Sequence, residues 1–382
     1  MNKQKNSKTK MELLVTGKEA FPVILEEIRN AEKSIYIDMF VWRDDDIGRK
    51  IATELLQAAD RGIKVDIIKD RNGIFFEYSE EDQSSFFHKD PSLIDIIEIN
   101  CMKIMYQPQL LGKPFLFKDE ELLNRMKTHP NINIKSEEYR KDHSKFFIFD
   151  EKIVILGGIN VEDKENGADI SGRQYIDFMI RITGEEAAAE LSKALRNEPG
   201  SRDGLFGLNI PGVKDDLGIG KRYLELIDNA KRELSIIMSY IMPVKEIMNA
   251  LKKALDRGVK VRLLFPEKAN YTNDSNRASA LELYRYAKKN GRDLEIYMSD
   301  DMTHVKAMVS ENTISIGSAN ISSKSMNKQG ELNVFVDNDG SDFAKAVKES
   351  FEKIFGNATP VKSSQQLKYS KLVALMEKIV MS

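Results

Sequence analysis

The 382-residue chain has very little cysteine, histidine and tryptophan, and it has no long apolar run. A single cysteine, Cys101, excludes an internal disulfide and is typical of a reducing cytosol. We expect it to be a buried small apolar side chain. No apolar run reaches the roughly 18–20 residues that span a bilayer, and no signal peptide precedes Met11. These absences predict a cytoplasmic protein without a transmembrane helix.

The charge composition is nearly balanced. Lysine and arginine total 58 residues, aspartate and glutamate total 60, and the formal net charge is -2. Because a dedicated nucleic-acid binder is more often distinctly basic, we do not expect nucleic acid as the partner. Four lysines in the first ten residues lack acidic neighbours, which predicts a solvated tail, with weak attraction to anionic lipid as the alternative.

Half of the four histidines lie in a repeated frame. The sequence HSK at 143–145 is followed by GGIN at 157–160, and HVK at 304–306 is followed by GSAN at 317–320. Lysine and amide side chains can hold the non-bridging oxygens of a phosphodiester and offset its charge. One imidazole can attack phosphorus, while the other transfers protons near neutral pH. The frame therefore predicts a site for phosphodiester chemistry.

Each motif is expected to open a β-hairpin. The predicted strand, turn and return strand are 143–149, 150–152 and 153–156 in the first copy, and 304–309, 311–312 and 313–316 in the second. Because residues i and i+2 of a strand share a face, the histidine and lysine of each motif should point the same way. The glycines that follow should allow close approach of the backbone.

The frame H-x-K-x4-D with G-[GS]-x-N, present twice with Glu311 in place of the aspartate in the second copy, resembles the signature of the phospholipase D superfamily. Residues 34–48 are similar to the bacterial cardiolipin synthase branch that lacks N-terminal transmembrane helices, and the resemblance spans residues 12 to 356. It implies an α/β fold of two pseudo-symmetric phospholipase D-like α/β/α sandwich domains with the active site at their interface. It also implies a phosphatidyltransferase, most directly a cardiolipin synthase that works through a phosphohistidine. A phospholipase D-type hydrolase that releases phosphatidic acid, and a phosphodiesterase or nuclease using the same site, are the alternatives.

The resemblance also assigns roles to residues. The implied catalytic set is His143, Lys145, Asn160, Asp177, His304, Lys306, Asn320 and Glu331. His143 is implied as the nucleophile and His304 as the general acid and base. Asp177 and Glu331 are implied to orient the histidines, each serving the histidine of the opposite half, with ordinary strand-edge acids as the alternative.

Further roles concern the phosphate, the motif frame and the partners. The residues implied to bind phosphate are Lys145, Lys306, Asn160, Asn320 and Ser318, and those implied to be structural are Asp150 and Glu311. No metal or other cofactor is expected. The expected partners are a phospholipid, in the first place phosphatidylglycerol, and the inner face of the membrane, where the protein would bind peripherally. The exact donor and acceptor and the oligomeric state stay open.

Strand and helix patterns repeat along the chain and divide it. One helical apolar stripe is predicted at Ile47, Ile51 and Leu55, and a second at Val244, Ile247, Met248, Leu251 and Leu255. The predicted division is a first domain at 11–196, a glycine-rich linker at 197–220, a second domain at 221–356 and a C-terminal tail and helix at 357–382. The aspartates at 44–46 are interpreted as a helix cap rather than a cation site.

Two segments are candidates for membrane contact. Residues 106–117 form an apolar stretch broken by proline and glycine, and residues 367–382 place apolar side chains at helical spacing between lysines. Packing of either segment on its own domain is the alternative.

Overall fold

The computed structural model of the chain describes residues 9–116, 120–167, 172–198, 204–210 and 218–380. Part of the predicted linker, most of the lysine-rich tail and Phe117 of the predicted membrane loop lie outside these residues. The chain forms two compact units, the first comprising 1–172 and 179–193 and the second 173–178 and 194–382. The short stretch 173–178 thus groups with the second unit. The domain bounds given by the sequence stay a prediction.

Both units contain strands and helices. Up to residue 198, in chain order, they are β1 (Lys10–Val15), α1 (Thr16–Asn30), β2 (Ser34–Met39), α2 (Asp46–Asp60), β3 (Lys64–Lys69), α3 (Gly73–Ser79), α4 (Leu93–Tyr106), α5 (Glu121–Thr128), β4 (Ile132–Lys135), β5 (Phe146–Phe149), β6 (Ile153–Gly157), β7 (Tyr175–Ile176), β8 (Phe178–Thr183) and α6 (Glu185–Leu195). After it come β9 (Phe206–Asn209), α7 (Gly218–Asn229), β10 (Glu233–Met238), β11 (Ile241–Met242), α8 (Lys245–Asp256), β12 (Lys260–Pro266), α9 (Asn273–Asn290), β13 (Leu294–Ser299), β14 (Met302–Thr303), β15 (Lys306–Ser310), β16 (Thr313–Gly317), β17 (Ile321–Ser322), α10 (Ser323–Asn327), β18 (Glu331–Asp337), α11 (Asp342–Gly356), β19 (Thr359–Pro360) and α12 (Lys371–Val380). Short 3₁₀ helices lie at Pro108–Leu110, Asp163–Asn166 and Ser364–Leu367.

The first unit is built on a seven-stranded sheet in the order β1-β8-β6-β5-β2-β3-β4. Strands β2, β3 and β4 run parallel, and β5, β6 and β8 add antiparallel pairings beside β2. The apolar stripe predicted for α2, formed by Ile47, Ile51 and Leu55, is buried in the core. The side chain of Asp45 accepts a hydrogen bond from the Gly48 amide (2.9 Å), so the predicted helix cap is confirmed.

The second unit is built on an eight-stranded sheet in the order β19-β13-β12-β10-β15-β16-β18-β9. Its centre repeats the first: β10, β12 and β13 are parallel, and β15, β16 and β18 pair antiparallel beside β10. The predicted stripe of α8 is buried, including Ile247, Leu251 and Leu255. Strand β9 lies inside the predicted linker and pairs with β18. Its four residues are buried.

The described residues contain no helix long and apolar enough to cross a membrane.

Candidate active site

The two His-x-Lys motifs lie at the start of the predicted hairpins, just outside their strands. Strand β5 begins at Phe146 and β15 at Lys306, whereas the sequence predicted strands from His143 and His304. The hairpins themselves are present, because β5 pairs with β6 and β15 with β16. In the second copy another strand binds the backbone of the histidine: the His304 amide donates to the Ile176 carbonyl at 2.7 Å.

His304 is held by a buried carboxylate. Its Nδ1 lies 2.8 Å from Oδ2 of Asp177, and both side chains are almost fully inaccessible to solvent. Asp177 also accepts the Phe178 amide on Oδ1 (2.8 Å), which fixes the orientation of its carboxylate. Strand β14 pairs in parallel with β7, so the segments that carry the two residues are tied together by backbone as well. A carboxylate on one ring nitrogen sets the tautomer and supports the charged form of the ring.

Lys306 belongs to the same cluster of polar side chains. Its ammonium lies 3.4 Å from Oδ2 of Asp177 and also donates to the His304 carbonyl. The lysine is fully buried, so its charge is balanced locally by the carboxylate rather than by bulk water. Two aromatic rings flank the imidazole, those of Tyr175 and Tyr240, each with its centroid 5.8 Å from that of His304. Neither tyrosine was predicted from the sequence.

The GSAN segment after the second motif carries Ser318 and Asn320. Both lie in the interior of the same unit, as does Glu331. Ser318 donates its hydroxyl to Oε2 of Glu331 at 2.6 Å, and Gln329 donates to Oε1 at 2.6 Å. Asn320 accepts a hydrogen bond from the Ser239 hydroxyl at 2.9 Å. The Ser318 hydroxyl therefore positions the Glu331 carboxylate, and the phosphate-binding role implied for it stays a prediction.

Asp177 and Glu331 occupy equivalent positions in the two sheets. Gly157 pairs with Met179 in the first sheet, and Gly317 pairs with Asn333 in the second. Each acid lies two residues before that pairing partner. A side chain at Gly317 would meet the backbone of Leu332 at 2.3 Å, so this glycine is required by close strand packing. The internal repeat therefore extends from the motifs to the acidic residues.

In the first unit, His143 is half-buried beside an aromatic ring. The ring of Phe40 packs edge-on against the imidazole at 4.8 Å between centroids. Lys145 is fully buried; its ammonium donates to the His143 carbonyl at 2.5 Å and lies 5.0 Å from the centre of the Phe40 ring. The relation of lysine to histidine thus matches that of Lys306 to His304.

The segment before His143 is anchored by buried charges. Arg140 donates to Asp38 at 2.9 Å and to Asp142 at 3.0 Å, and the Ser144 amide donates to Asp142 at 3.0 Å. Burial, and then the neighbouring carboxylate of Asp142, raises the pKa of Asp38 well above its usual range, and burial also raises the pKa of Asp142. The charge of Arg140 opposes this rise in both pKa values, and its hydrogen bonds fix the backbone that presents His143.

Asn160 lies beside another buried network. Its amide nitrogen is 3.4 Å from Oε1 of Glu162, which pairs with Arg43 at 2.6 Å. Arg43 also donates to the Glu77 carbonyl at 2.6 Å and to Glu80 at 2.8 Å. Burial opposes the charge of the guanidinium, but the carboxylates of Glu162 and Glu80 outweigh it and raise the pKa of Arg43. Among the described residues, Oδ1 of Asn160 has no hydrogen-bond partner.

The acidic residue seven positions after each motif histidine accepts hydrogen bonds from backbone amides. Asp150 accepts the amides of Glu32, Lys33 and Ser34 at 2.7–2.9 Å. Glu311 accepts three amides in the same way, at 2.7–3.3 Å. Burial opposes ionisation in both, yet the backbone donors prevail and lower the pKa of each carboxylate. Glu311 thus makes the same kind of backbone contacts as Asp150, although the turn of the second hairpin is shorter than that of the first.

The remaining histidines lie apart from these motifs. His88 is buried with Nε2 at 2.7 Å from the Ser136 carbonyl, and His129 lies 3.3 Å from the Asp60 carboxylate. Cys101 is exposed on α4, so the expectation of a buried cysteine is wrong. That expectation followed from the usual burial of free cysteine, and the structure turns this position of α4 towards solvent.

The two candidate membrane segments have different outcomes. In the loop after α4, Leu110 is buried while Leu111 and Leu116 are exposed. In α12, the helix packs through Ala374 and Glu377 and leaves its apolar stripe in solvent. The alternative in which that stripe faces the core is therefore wrong.

A duplicated His-x-Lys motif at the edge of a duplicated mixed sheet defines a phospholipase D-like phosphodiester enzyme. The fold agrees with the crystal structure of phosphatidylserine synthase from Haemophilus influenzae, with a TM-score of 0.67, 16% identity, and coverage of 97% of this chain and 92% of that chain. The profile of the family described as cardiolipin synthase, phospholipase D-like domain, matches residues 24–198 and 223–355. The chain belongs to this family.

Curated relatives agree with this assignment. Cardiolipin synthase B of Salmonella typhimurium is 24% identical over 353 residues, which cover 85% of this chain and 76% of the relative. Cardiolipin synthase B of Escherichia coli is 24% identical over 349 residues, with 86% and 76% covered. The predicted family, the repeated α/β fold and the enzyme class are confirmed.

Proposed function

We propose that this protein is a phosphatidyltransferase that makes cardiolipin from two molecules of phosphatidylglycerol. The contact between His304 and Asp177 carries the proposal, since it prepares an imidazole for proton transfer at the motif that the family shares. The product is taken from the relatives, which are named cardiolipin synthases, and phosphatidylglycerol as the substrate is taken from the family resemblance.

The proposed reaction has two steps. His143 attacks phosphorus of the first phosphatidylglycerol, the bond from phosphorus to the glycerol oxygen breaks, and His304 gives its proton to that oxygen. His304 then takes the proton from a hydroxyl of the second phosphatidylglycerol, whose oxygen attacks phosphorus and releases His143. Because Nδ1 of His304 bonds Asp177, the proton exchange is assigned to Nε2. The choice of His143 as nucleophile rests on the family resemblance.

Glu331 is proposed to orient His143, as Asp177 orients His304. The support is the equal register of the two acids and the bonds from Ser318 and Gln329 that hold the glutamate in one orientation. Lys145, Lys306, Asn160 and Asn320 are proposed to bind the non-bridging phosphate oxygens.

Association with the inner face of the membrane is likewise proposed, since the substrate resides in a bilayer. Hydrolysis to phosphatidic acid is the second candidate within the same chemistry, and it differs by admission of water in place of the second lipid. Cleavage of nucleic acid is the candidate in another substrate class.

Product analysis separates these candidates. The protein is incubated with phosphatidylglycerol vesicles and, in parallel, with single-stranded DNA. We expect cardiolipin and free glycerol in equal amounts and intact DNA. Phosphatidic acid as the main product would replace the proposal by hydrolysis, and shortened DNA without lipid turnover would replace it by a nuclease.

A further inference from the structure

Helix α4 presents an aliphatic stripe to solvent. Leu93 is 80% exposed, Ile94 67%, Ile97 63% and Ile104 60%, and the exposed Cys101 lies among them. At the helical repeat of 3.6 residues, these five side chains fall within an arc of about 100°. We call them the α4 stripe.

The opposite side of α4 is firmly docked on the first unit. Asp95 accepts a hydrogen bond from Arg71 at 2.7 Å, and Ile99 packs in a buried apolar cluster. Lys103, fully buried, donates to Gln83 at 2.7 Å. Since the inward face is satisfied by its own partners, the α4 stripe is a surface feature of a fixed helix.

A short chain of contacts joins α4 to the first motif. The buried apolar cluster around Ile99 includes Ile74 of α3. Phe76 of α3 packs against Phe40 at 5.3 Å between centroids, and Phe40 packs against His143 at 4.8 Å. One helix and one aromatic ring therefore separate the α4 stripe from the nucleophile proposed above.

The second unit repeats this placement with α12. Glu377 of α12 accepts the Ser275 amide at 2.7 Å, and the next residue, Asn276, donates to the Ser239 carbonyl at 2.8 Å. Ser239 in turn bonds Asn320. The outer side of α12 exposes Leu372, Val373, Leu375, Met376 and Ile379. In each unit an exposed aliphatic helix lies one element away from the motif.

We propose that the α4 stripe docks into the hydrocarbon boundary of a phospholipid bilayer and thereby brings the His143 motif to its lipid. This docking proposal rests on the proposed function, which requires access to a lipid. The stripe is aliphatic and lacks the arginine, tyrosine and tryptophan that dominate protein interfaces. Its four large side chains expose on the order of 500 Å², less than the ~800 Å² per partner that stable dimers bury. A bilayer has no such minimum, because membrane binding strengthens continuously with the buried apolar area, and attraction to anionic lipid adds to it.

The charge pattern gives the docking a distinctive salt response. The α4 stripe contains no lysine or arginine, whereas α12 carries Lys371 and Lys378. Hydrophobic insertion by α4 should therefore persist in high salt, while any contribution from α12 to anionic vesicles should weaken.

Cys101 reports on the stripe directly, since it is the chain's single cysteine. The full-length protein is treated with a water-soluble maleimide, with and without saturating phosphatidylglycerol vesicles at 0.5 M salt. We expect at least ~10-fold slower modification with vesicles, because the thiol enters the lipid boundary. An unchanged rate with bound protein would overturn the proposal.

A variant pair tests the same surface by affinity. Ile94→Ser with Ile97→Ser should weaken vesicle binding by roughly 10- to 100-fold, since both side chains are mostly exposed and contribute apolar area only when docked. The matched control, Lys348→Ser with Glu349→Ser, changes two exposed positions of α11 without altering net charge and should bind like the unmodified protein.

Turnover of a short-chain, monomeric phosphatidylglycerol separates this proposal from the proposed function. The Ile94 and Ile97 variant should turn over that soluble substrate normally while failing on vesicles. Normal vesicle binding by the variant would refute docking at α4. A variant that loses self-association rather than vesicle binding would refute it as well. If vesicles protect Cys101 of the unmodified protein from the maleimide, yet the protein never turns over the soluble lipid, the docking proposal stands and the proposed function fails.

Discussion

Replacing Asp177 by asparagine removes one negative charge and leaves the shape of the side chain nearly unchanged. The carboxylate lies 2.8 Å from Nδ1 of His304 and 3.4 Å from the ammonium of Lys306, and all three groups are buried. The amide can still accept one hydrogen bond, but it cannot balance the protonated imidazole or the lysine. We expect Asp177→Asn to fold and to lose most of its turnover.

The magnitude follows from the distances. At an effective dielectric constant near 20, unit charges at 2.8 Å and 3.4 Å attract by about 6 and about 5 kcal/mol. Only part of this attraction energy differs between the ground state and the transition state. Since comparable carboxylate–histidine pairs contribute up to ~10⁴-fold, we expect kcat to fall ~10²- to 10⁴-fold. The alkaline limb of the rate profile should move to lower pH by roughly one to three units, because the imidazolium loses its anionic partner.

The assay is initial-rate turnover of short-chain phosphatidylglycerol between pH 5 and pH 9. Glu311→Gln is the matched control, because its carboxylate holds backbone amides. It should lower the unfolding midpoint without moving the pH profile. A fully active Asp177→Asn enzyme, or one with an unshifted alkaline limb, would refute the role given to the carboxylate.

Three further predictions concern the nucleophile, the metal requirement and pH-dependent stability. His143→Ala should abolish turnover, and His304→Ala should lower it by at least ~10³-fold; residual rates near normal in the first variant would remove the covalent step. Activity should survive excess chelator, because the lysines and asparagines supply the charge; loss that one specific ion restores would contradict this. Burial, and then the Asp163 carboxylate, raises the pKa of Asp45 to about 7, so its stabilising contribution is complete below pH 4 and declines as pH rises through 7. Asp45→Asn should flatten this decline, by at most about 4 kcal/mol in urea titrations at pH 4 and pH 7.5; an unchanged slope would assign the pH dependence to other groups.

The sequence predicted the features that depend on local pattern. The hairpin that follows each His-x-Lys motif, the buried stripes of α2 and α8, and the repeat of strand and helix all have short periods that can be counted along the chain. The start of β5 and β15 was misplaced, because whether a strand includes His143 or His304 depends on distant partners. For His304 that partner is a carbonyl 128 residues away in the chain, at Ile176.

The features that sequence reasoning missed are set by tertiary contact. Arg43 and Glu162 are ordinary charged residues in the sequence, and only the fold makes them a buried pair. Helix α4 was overlooked because its apolar residues occur on every side of the helix and its polar residues are interspersed among them, so the outward direction of Ile97 and Cys101 could not be read from the pattern. The grouping of 173–178 with the second unit likewise has no compositional signal.

The most direct test of phosphatidyl transfer is to identify the covalent intermediate. The protein is mixed with phosphatidylglycerol, quenched within a turnover in alkaline denaturant to preserve a phosphorus–nitrogen bond, digested and analysed by mass spectrometry. We predict a phosphatidyl adduct on the peptide that carries His143, which disappears when an excess of a second alcohol is added before the quench. Continuing turnover without any histidine adduct, or an adduct on His304 alone, would contradict the assignment.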